Sequence, residues 1–341
     1  RDVYKRQPGP QKQLPGPGFT QSTAKQNQPQ EHPVDQTLST DVEPEKEPRR
    51  ANSAKTSPVL AAVLVILGVL VMLYPVTSTL WNNYVATKVA QDYAELEKST
   101  PEEVKNTQWD NAHKYNENRT TGPILDPWLA RFDENNPDYQ EYLDQLDAND
   151  AMARLIFPKI KADLPIFHGT DSDTLQRGLG HLFGSDLPVG GKGTHSVITG
   201  HTGLANSTMF DHLNKAEKGD AFYVQVSGEK LKYVVDQIKV VLPTETENLR
   251  PEQGKDYITL ITCTPYGINT HRLLVRGHQV PLDPADHEVF DKNHGAGWQW
   301  WMYVLVAAAA LVLTLLLRWL LKQKRDRESQ ETTETVSYTH L

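Results

Sequence analysis

YITLITCTPYGINTHRLLVRG, residues 257–277, carries Cys263, the single cysteine in a chain of 341 residues. Residues 257–262 are aromatic, β-branched or Leu throughout and read as a strand. Thr264-Pro265-Tyr266-Gly267 is turn chemistry, and His271 to Gly277 reads as the strand that returns antiparallel. A thiol at a strand end beside a loop is held rigidly and stays within reach, as a nucleophile must. A lone Cys is also commonly a small buried apolar side chain, so its surroundings have to decide between the two readings.

Working outward, residues from Arg154 onward fall into short β-rich runs separated by turn residues: LIFPKI, LPIFHG, HSVITG, AFYVQV, LKYVVDQIKVV, YITLITC and HRLLVRG. This spacing suggests a sandwich or a closed barrel. AFYVQV and LKYVVD flank Ser227-Gly228-Glu229-Lys230, which predicts a hairpin.

A thiol is mostly protonated at neutral pH and needs a base or cation nearby to react. Two residues qualify. His201 ends the run Ser196-Val197-Ile198-Thr199-Gly200-His201 and turns through Thr202-Gly203. Arg272 lies on the strand returning from Cys263, where a permanent cation can bind a substrate carbonyl or a developing oxyanion. Among the 12 histidines, His168, His181 and His195 are expected to be structural.

Taken together, these residues resemble the sortase family. Thr259-Leu260-Ile261-Thr262-Cys263 is similar to the TLxTC signature, His201 lies in a TGH segment, and Arg272 occupies the Arg position after the cysteine. The match runs from Arg154 to Val280, and its extended form most resembles the class C, pilus-assembling sortases. Asp126-Pro127-Trp128 is similar to the lid motif of that class. The resemblance implies a mostly β fold: a closed sortase-type barrel of about eight strands with peripheral helices, flanked by two transmembrane helices. It implies Cys263 as nucleophile, His201 as general acid/base and Arg272 as the stabiliser of substrate or oxyanion. Trp128 would cover Cys263 while Asp126 pairs with Arg272. Thr262 either helps orient the substrate or is simply a β-branched strand residue.

The implied reaction is transpeptidation without cofactor or metal. The thiolate attacks the Thr-Gly bond of an LPxTG-like sorting signal, and an amine resolves the thioester. Implied partners are sorting-signal-bearing surface proteins, with a pilin lysine as acceptor, or a peptidoglycan precursor for a wall-anchoring enzyme. A reading from another class is a membrane-anchored binding or scaffold protein with a structural Cys. The resting protonation of Cys263 and His201 belongs to the pair and stays open.

Composition sets the rest. A net charge of -8 gives no reason to expect nucleic acid as a partner. One cysteine can form neither an internal disulfide nor a thiolate metal cluster. Residues 1–57 are polar, rich in Gln and Pro, and expected to be a disordered tail, with no function assigned to the extreme ends. Val59 to Val76 is uncharged and long enough to span a bilayer. Trp298 to Leu321 is a second apolar run, opening with Trp298, Trp300, Trp301 and Tyr303 as an interfacial belt. Arg49, Arg50 and Lys55 before the first run, and Lys322, Lys324, Arg325 and Arg327 after the second, place both ends in the cytoplasm by the positive-inside bias, and the sortase resemblance implies that the membrane is that of a Gram-positive cell. The expected organisation is therefore a tail at 1–57, a membrane helix at 58–76, and extracytoplasmic helices with the lid at 77–152. A catalytic barrel at 153–283, a linker at 284–297, a membrane helix at 298–321 and a tail at 322–341 follow. Within the helical part, Tyr84 to Lys98 and a helix capped by Thr100, with Pro101 and Glu103, are expected as separate pieces.

Overall fold

In the computed structural model the described residues are 57–119, Asp126 and 136–337, with side chains described to 329. Eight strands form a closed barrel: β1 (Ala153–Phe157), β2 (Ala162–His168), β3 (Leu179–His181), β4 (Thr194–Thr199), β5 (Ala221–Val226), β6 (Glu229–Val241), β7 (Asp256–Thr264) and β8 (His271–Val280). Their order around the barrel is β1-β2-β3-β4-β7-β8-β6-β5, closed by β1 pairing with β5. The β2–β3 and β4–β7 pairs are parallel and the others antiparallel. Of the sandwich and the closed barrel that the strand spacing allowed, the closed barrel implied by the resemblance is the one observed.

Leu155, Phe157, Ile166, Ile198, Phe222, Tyr233, Ile258, Leu260 and Val275 fill the interior. Ile261 and Leu274, one residue out of phase with Leu260 and Val275, instead join a second buried cluster with Leu182, Val197, Val241 and Leu249. Strand β7 is thus apolar on both faces, which explains its unbroken hydrophobic text. The β5–β6 hairpin turns through Ser227 and Gly228 alone, at φ 49° and 82°. Both positive angles mark a tight primed turn matched to strand twist, so Glu229 and Lys230 belong to β6 rather than to the loop.

Among the described residues, six helices accompany the barrel: α1 (Pro58–Ser99), α2 (Glu102–Asn118), α3 (Pro137–Leu143), α4 (Ser172–Arg177), α5 (His287–Asp291) and α6 (Trp300–Ser337). Helix α1 runs unbroken for 42 residues with Pro75 inside it, so the membrane-length run and the Tyr84–Lys98 segment are one rod. Helices α1 and α6 are each long and apolar enough to cross a membrane. They meet with Ala61 and Val65 facing Val312, Leu316 and Trp319, an antiparallel arrangement. Thr100 does not cap α2: its hydroxyl donates backward to the Leu96 carbonyl at 2.8 Å, closing α1, and Pro101 takes the capping position.

The barrel lies along the upper part of α1. Asn82 donates to the Asn206 carbonyl at 2.8 Å, and Asn83 exchanges hydrogen bonds with the Thr208 hydroxyl and amide at 2.8 and 2.9 Å. Further up, the Tyr93 hydroxyl accepts from the Ser227 amide at 3.1 Å and the Glu97 carboxylate accepts from the Gly228 amide.

Candidate active site

Strand register assembles the site. Thr199 pairs with Ile261 at the end of the parallel β4–β7 ladder, so the chain leaves β4 for His201 beside the strand that ends at Cys263. In the antiparallel β7–β8 ladder, Cys263 is directly opposite Arg272. Cys263 and Arg272 therefore stand side by side at the ends of β7 and β8, with His201 on the turn that leaves the neighbouring β4. The two-residue period of a strand puts Cys263 on the outer face with Ile261, while Thr262 turns to the interior side with Leu260.

The backbone before His201 is tightly tied. The Gly200 amide donates to the Ile261 carbonyl at 3.1 Å, and the Thr262 hydroxyl donates to the Gly200 carbonyl at 2.7 Å. Beyond the histidine, the Phe210 amide donates to its carbonyl at 3.0 Å. Only glycine fits at position 200: a Cβ there would stand 2.6 Å from Leu179 and 2.8 Å from Phe210. Thr262, considered as a substrate-orienting residue, is thus occupied in holding the turn that presents His201.

Sequence reasoning missed Asp211. Its carboxylate accepts from the Thr202 hydroxyl at 3.1 Å and the Gly203 amide at 2.7 Å, pinning the loop after the histidine. Burial raises its pKa above the usual carboxylate value. No spacing signal announces it, because the contact depends on how a ten-residue loop folds back. Tyr266, on the loop after Cys263, packs its ring against Gly203 from the other side.

Arg272 is held in a fork. Its Nε and Nη2 donate to the two carboxylate oxygens of Asp126 at 2.6 and 3.0 Å, and both side chains are buried. Asp126 therefore meets the expected partner, while Pro127 and Trp128 lie outside the described residues. The Cys263 thiol is buried, and burial pushes its pKa up; Arg272 pulls it down and Asp126 pushes it up again. Burial likewise holds the His201 imidazole below its usual value. In both groups burial is the largest cause, so desolvation works against the charged form of each.

The three histidines set aside as structural are so. His181 is fully buried, within 3.0 Å of the Tyr142 hydroxyl, with burial pushing its pKa down to about 3. His195 is buried with Nε2 at 2.7 Å from the Thr259 hydroxyl, and His168 reaches the Gln145 carbonyl at 2.6 Å.

The sortase domain family matches residues 155–280, the stretch that holds His201, Cys263 and Arg272. Sortase C-1 of Actinomyces oris is 55% identical over 53% of this chain and 99% of that one, with a TM-score of 0.52. This chain belongs to the sortase family. Sortases are cysteine transpeptidases, and Cys263 is the single cysteine of this chain. A sortase C of Streptococcus pneumoniae, studied for its catalysis and pilin substrate specificity, is 38% identical over 57% of this chain and 97% of that one, with a TM-score of 0.53. Sortase D of Bacillus subtilis is 31% identical over 137 residues, and the match spans 66% of that relative's length and 39% of this chain.

Proposed function

We propose that this sortase is a membrane-anchored class C enzyme in which Cys263, His201 and Arg272 transfer a sorting-signal peptide to an amine. The observation that carries the reading is Cys263 directly opposite Arg272 on β7 and β8, with Asp126 on Arg272 and His201 on the turn that leaves the neighbouring β4. When substrate displaces the segment bearing Asp126, the guanidinium is released toward the reacting carbonyl. The thiol proton passes to His201, and the thiolate sulfur bonds to the carbonyl carbon of Thr in an LPxTG-like signal. Arg272 faces the oxyanion. The imidazolium then protonates the leaving glycine amine as the C–N bond breaks, leaving a thioester. The acceptor amine attacks that thioester, His201 takes its proton, and the same proton returns to the departing sulfur.

Pilins as substrates, with a lysine as acceptor, are supported by similarity to the pneumococcal sortase C and by the Asp126 clasp. Anchoring of both chain ends on the cytoplasmic side is supported by the two membrane-length helices meeting antiparallel and by the basic residues flanking them. The lid reading extends to Pro127 and Trp128 by sequence alone. The test is to incubate the full chain with a sorting-signal peptide, trap the reaction with acid and weigh the protein. An acyl adduct on Cys263, absent in Cys263→Ala, is the expected result; transfer that persists in Cys263→Ala rules the mechanism out. Offering a pilin lysine peptide beside a peptidoglycan-precursor amine then separates pilus building from wall anchoring.

A further inference from the structure

We infer that the rim of the barrel around Cys263, formed by Tyr266, Ile268, Val240 and Leu242, rests on the headgroup and acyl boundary of the bilayer. This inference depends on α1 and α6 spanning that bilayer. Three observations on different parts of the chain converge on it.

The first is level. The apolar run of α1 ends at Val76, and Asn82 and Asn83, within two helical turns of it, hold residues 206 and 208 of the loop after His201. Tyr93 and Glu97 hold the β5–β6 turn, which is about 15 to 22 Å further up the rod at the helical rise. Strand β6 starts at that far turn and ends at Val241, opposite Arg272. The barrel therefore points its Cys263 end at the membrane surface and its hairpin end away. Exposed Trp81 and Tyr84 on α1, and exposed Trp298, Trp300 and Tyr303 leading into α6, mark the same level with interfacial aromatics. Asn83 also donates to the Ala296 carbonyl at 3.4 Å, bringing the approach to α6 to that height.

The second is exposure. Among the described residues of the barrel, the exposed large apolar side chains are Val240 (60%), Leu242 (46%), Tyr266 (65%) and Ile268 (68%). All four sit at the Cys263 end: Val240 and Leu242 flank Val241, the partner of Arg272, and Tyr266 and Ile268 lie between β7 and β8. A water-facing rim has no reason to collect them, whereas an interface that is half lipid stabilises each by burial.

The third is charge. The chain as a whole is 23% charged, yet residues 202–209 (TGLANSTM) and 264–270 (TPYGINT) contain no charged side chain. These two loops flank the site and touch each other where Tyr266 meets Gly203. Charges are costly at the acyl boundary, and polar uncharged Thr, Asn and Ser are tolerated among headgroups. Neutral loops also predict that contact does not depend on anionic lipid. The site would then open along the membrane surface, toward peptides presented there.

The test places single nitroxide labels on the full chain in phosphatidylcholine nanodiscs, in a Cys263→Ala background so that each label has one thiol. Ile268→Cys reports the rim, Glu229→Cys the far hairpin and Val71→Cys the apolar run of α1. Collision with lipid-dissolved oxygen is compared with collision with an aqueous nickel chelate. The label at 268 is expected to favour oxygen, as at 71, while the label at 229 favours nickel. Repeating with phosphatidylglycerol is expected to leave the preference at 268 unchanged. A nickel preference at 268 with an oxygen preference at 71 overturns the proposal and leaves the anchoring intact. Nickel preference at both positions overturns the anchoring and the proposal together. A label at 268 that favours nickel and loses collisions only when sorting-signal peptide is added would assign the rim to peptide instead.

Discussion

Two buried arginine–aspartate forks of the same chemistry do opposite work in this molecule. Arg154 donates through Nε and Nη2 to both oxygens of Asp163 at 2.8 and 2.9 Å, and Arg272 does the same to Asp126 at 2.6 and 3.0 Å. Asp163 is nine residues from Arg154 and sits across one strand pair, β1 against β2, inside the barrel wall. The third donor of Arg154 holds the Phe290 carbonyl at 3.1 Å, tying the segment before α6 to the barrel. Asp126 comes instead from 146 residues away and belongs to no strand of the barrel. A fork built into one hairpin has nowhere to go when broken. A fork whose acid arrives on a separate segment can open, and the guanidinium it frees faces water and substrate beside Cys263.

The sharpest way to break that contrast is to cut the inner fork. Arg154→Met leaves Asp163 buried without its partner, and such a loss is expected to cost about 3–5 kcal/mol of stability. Chemical unfolding of the full chain in nanodiscs reads it. Asp126→Ala is expected to cost less, because Asp126 lies outside the barrel strands and its removal leaves no carboxylate stranded inside the barrel wall. Equal losses from the two variants would erase the distinction drawn between clamp and clasp.

The outer fork should instead show in reactivity. Asp126 pushes the Cys263 pKa up and Arg272 pulls it down, so removing the acid leaves the cation unopposed. Asp126→Ala is expected to raise the rate of iodoacetamide labelling at pH 7, because a larger fraction of the thiol is then ionised. The pH dependence carries the sign. With the thiol raised above its ordinary 9.0, labelling of the closed protein should keep climbing beyond pH 9 without levelling. In Asp126→Ala the plateau should move to lower pH. Because burial keeps the His201 imidazole neutral, no step near its ordinary value of 6.5 is expected in the closed protein. A labelling rate already flat at pH 7 would show that Cys263 rests as a thiolate and that the fork does not govern it.

How far the two forks were legible in the sequence differs for physical reasons. Cys263 opposite Arg272 was legible because β7, its loop and β8 are contiguous, whereas the closed barrel and the role of His201 rested on the family resemblance, since strand spacing alone also allowed a sandwich. Asp126 was readable only because its dipeptide context resembles a lid, and Pro127 and Trp128 lie outside the described residues. Nothing announced Arg154 and Asp163, whose pairing depends on β1 and β2 facing each other with both side chains turned to the same side. The continuity of α1 was hidden by Pro75, which ordinarily argues for a break but is accommodated in an apolar helix. The capping expected of Thr100 failed because the same hydroxyl finds the last turn of the preceding helix first.

Thr262 provides the smallest and most local probe of how the two sides of the site are coupled. Its hydroxyl donates to the Gly200 carbonyl at 2.7 Å, so one side chain next to Cys263 fixes the peptide next to His201. Thr262→Val keeps the shape and leaves that buried carbonyl short of a donor, for about 1 kcal/mol of stability. Transfer to the acceptor amine should slow roughly tenfold, since a slight displacement of the imidazole degrades both proton transfers. Peptide KM should hold, because no substrate contact is removed. Thr262→Ser, which restores the donor without the methyl, should recover most of kcat. If Thr262→Ser were as slow as Thr262→Val, the threonine methyl and its packing would be what matters, and the hydrogen bond to Gly200 would position nothing.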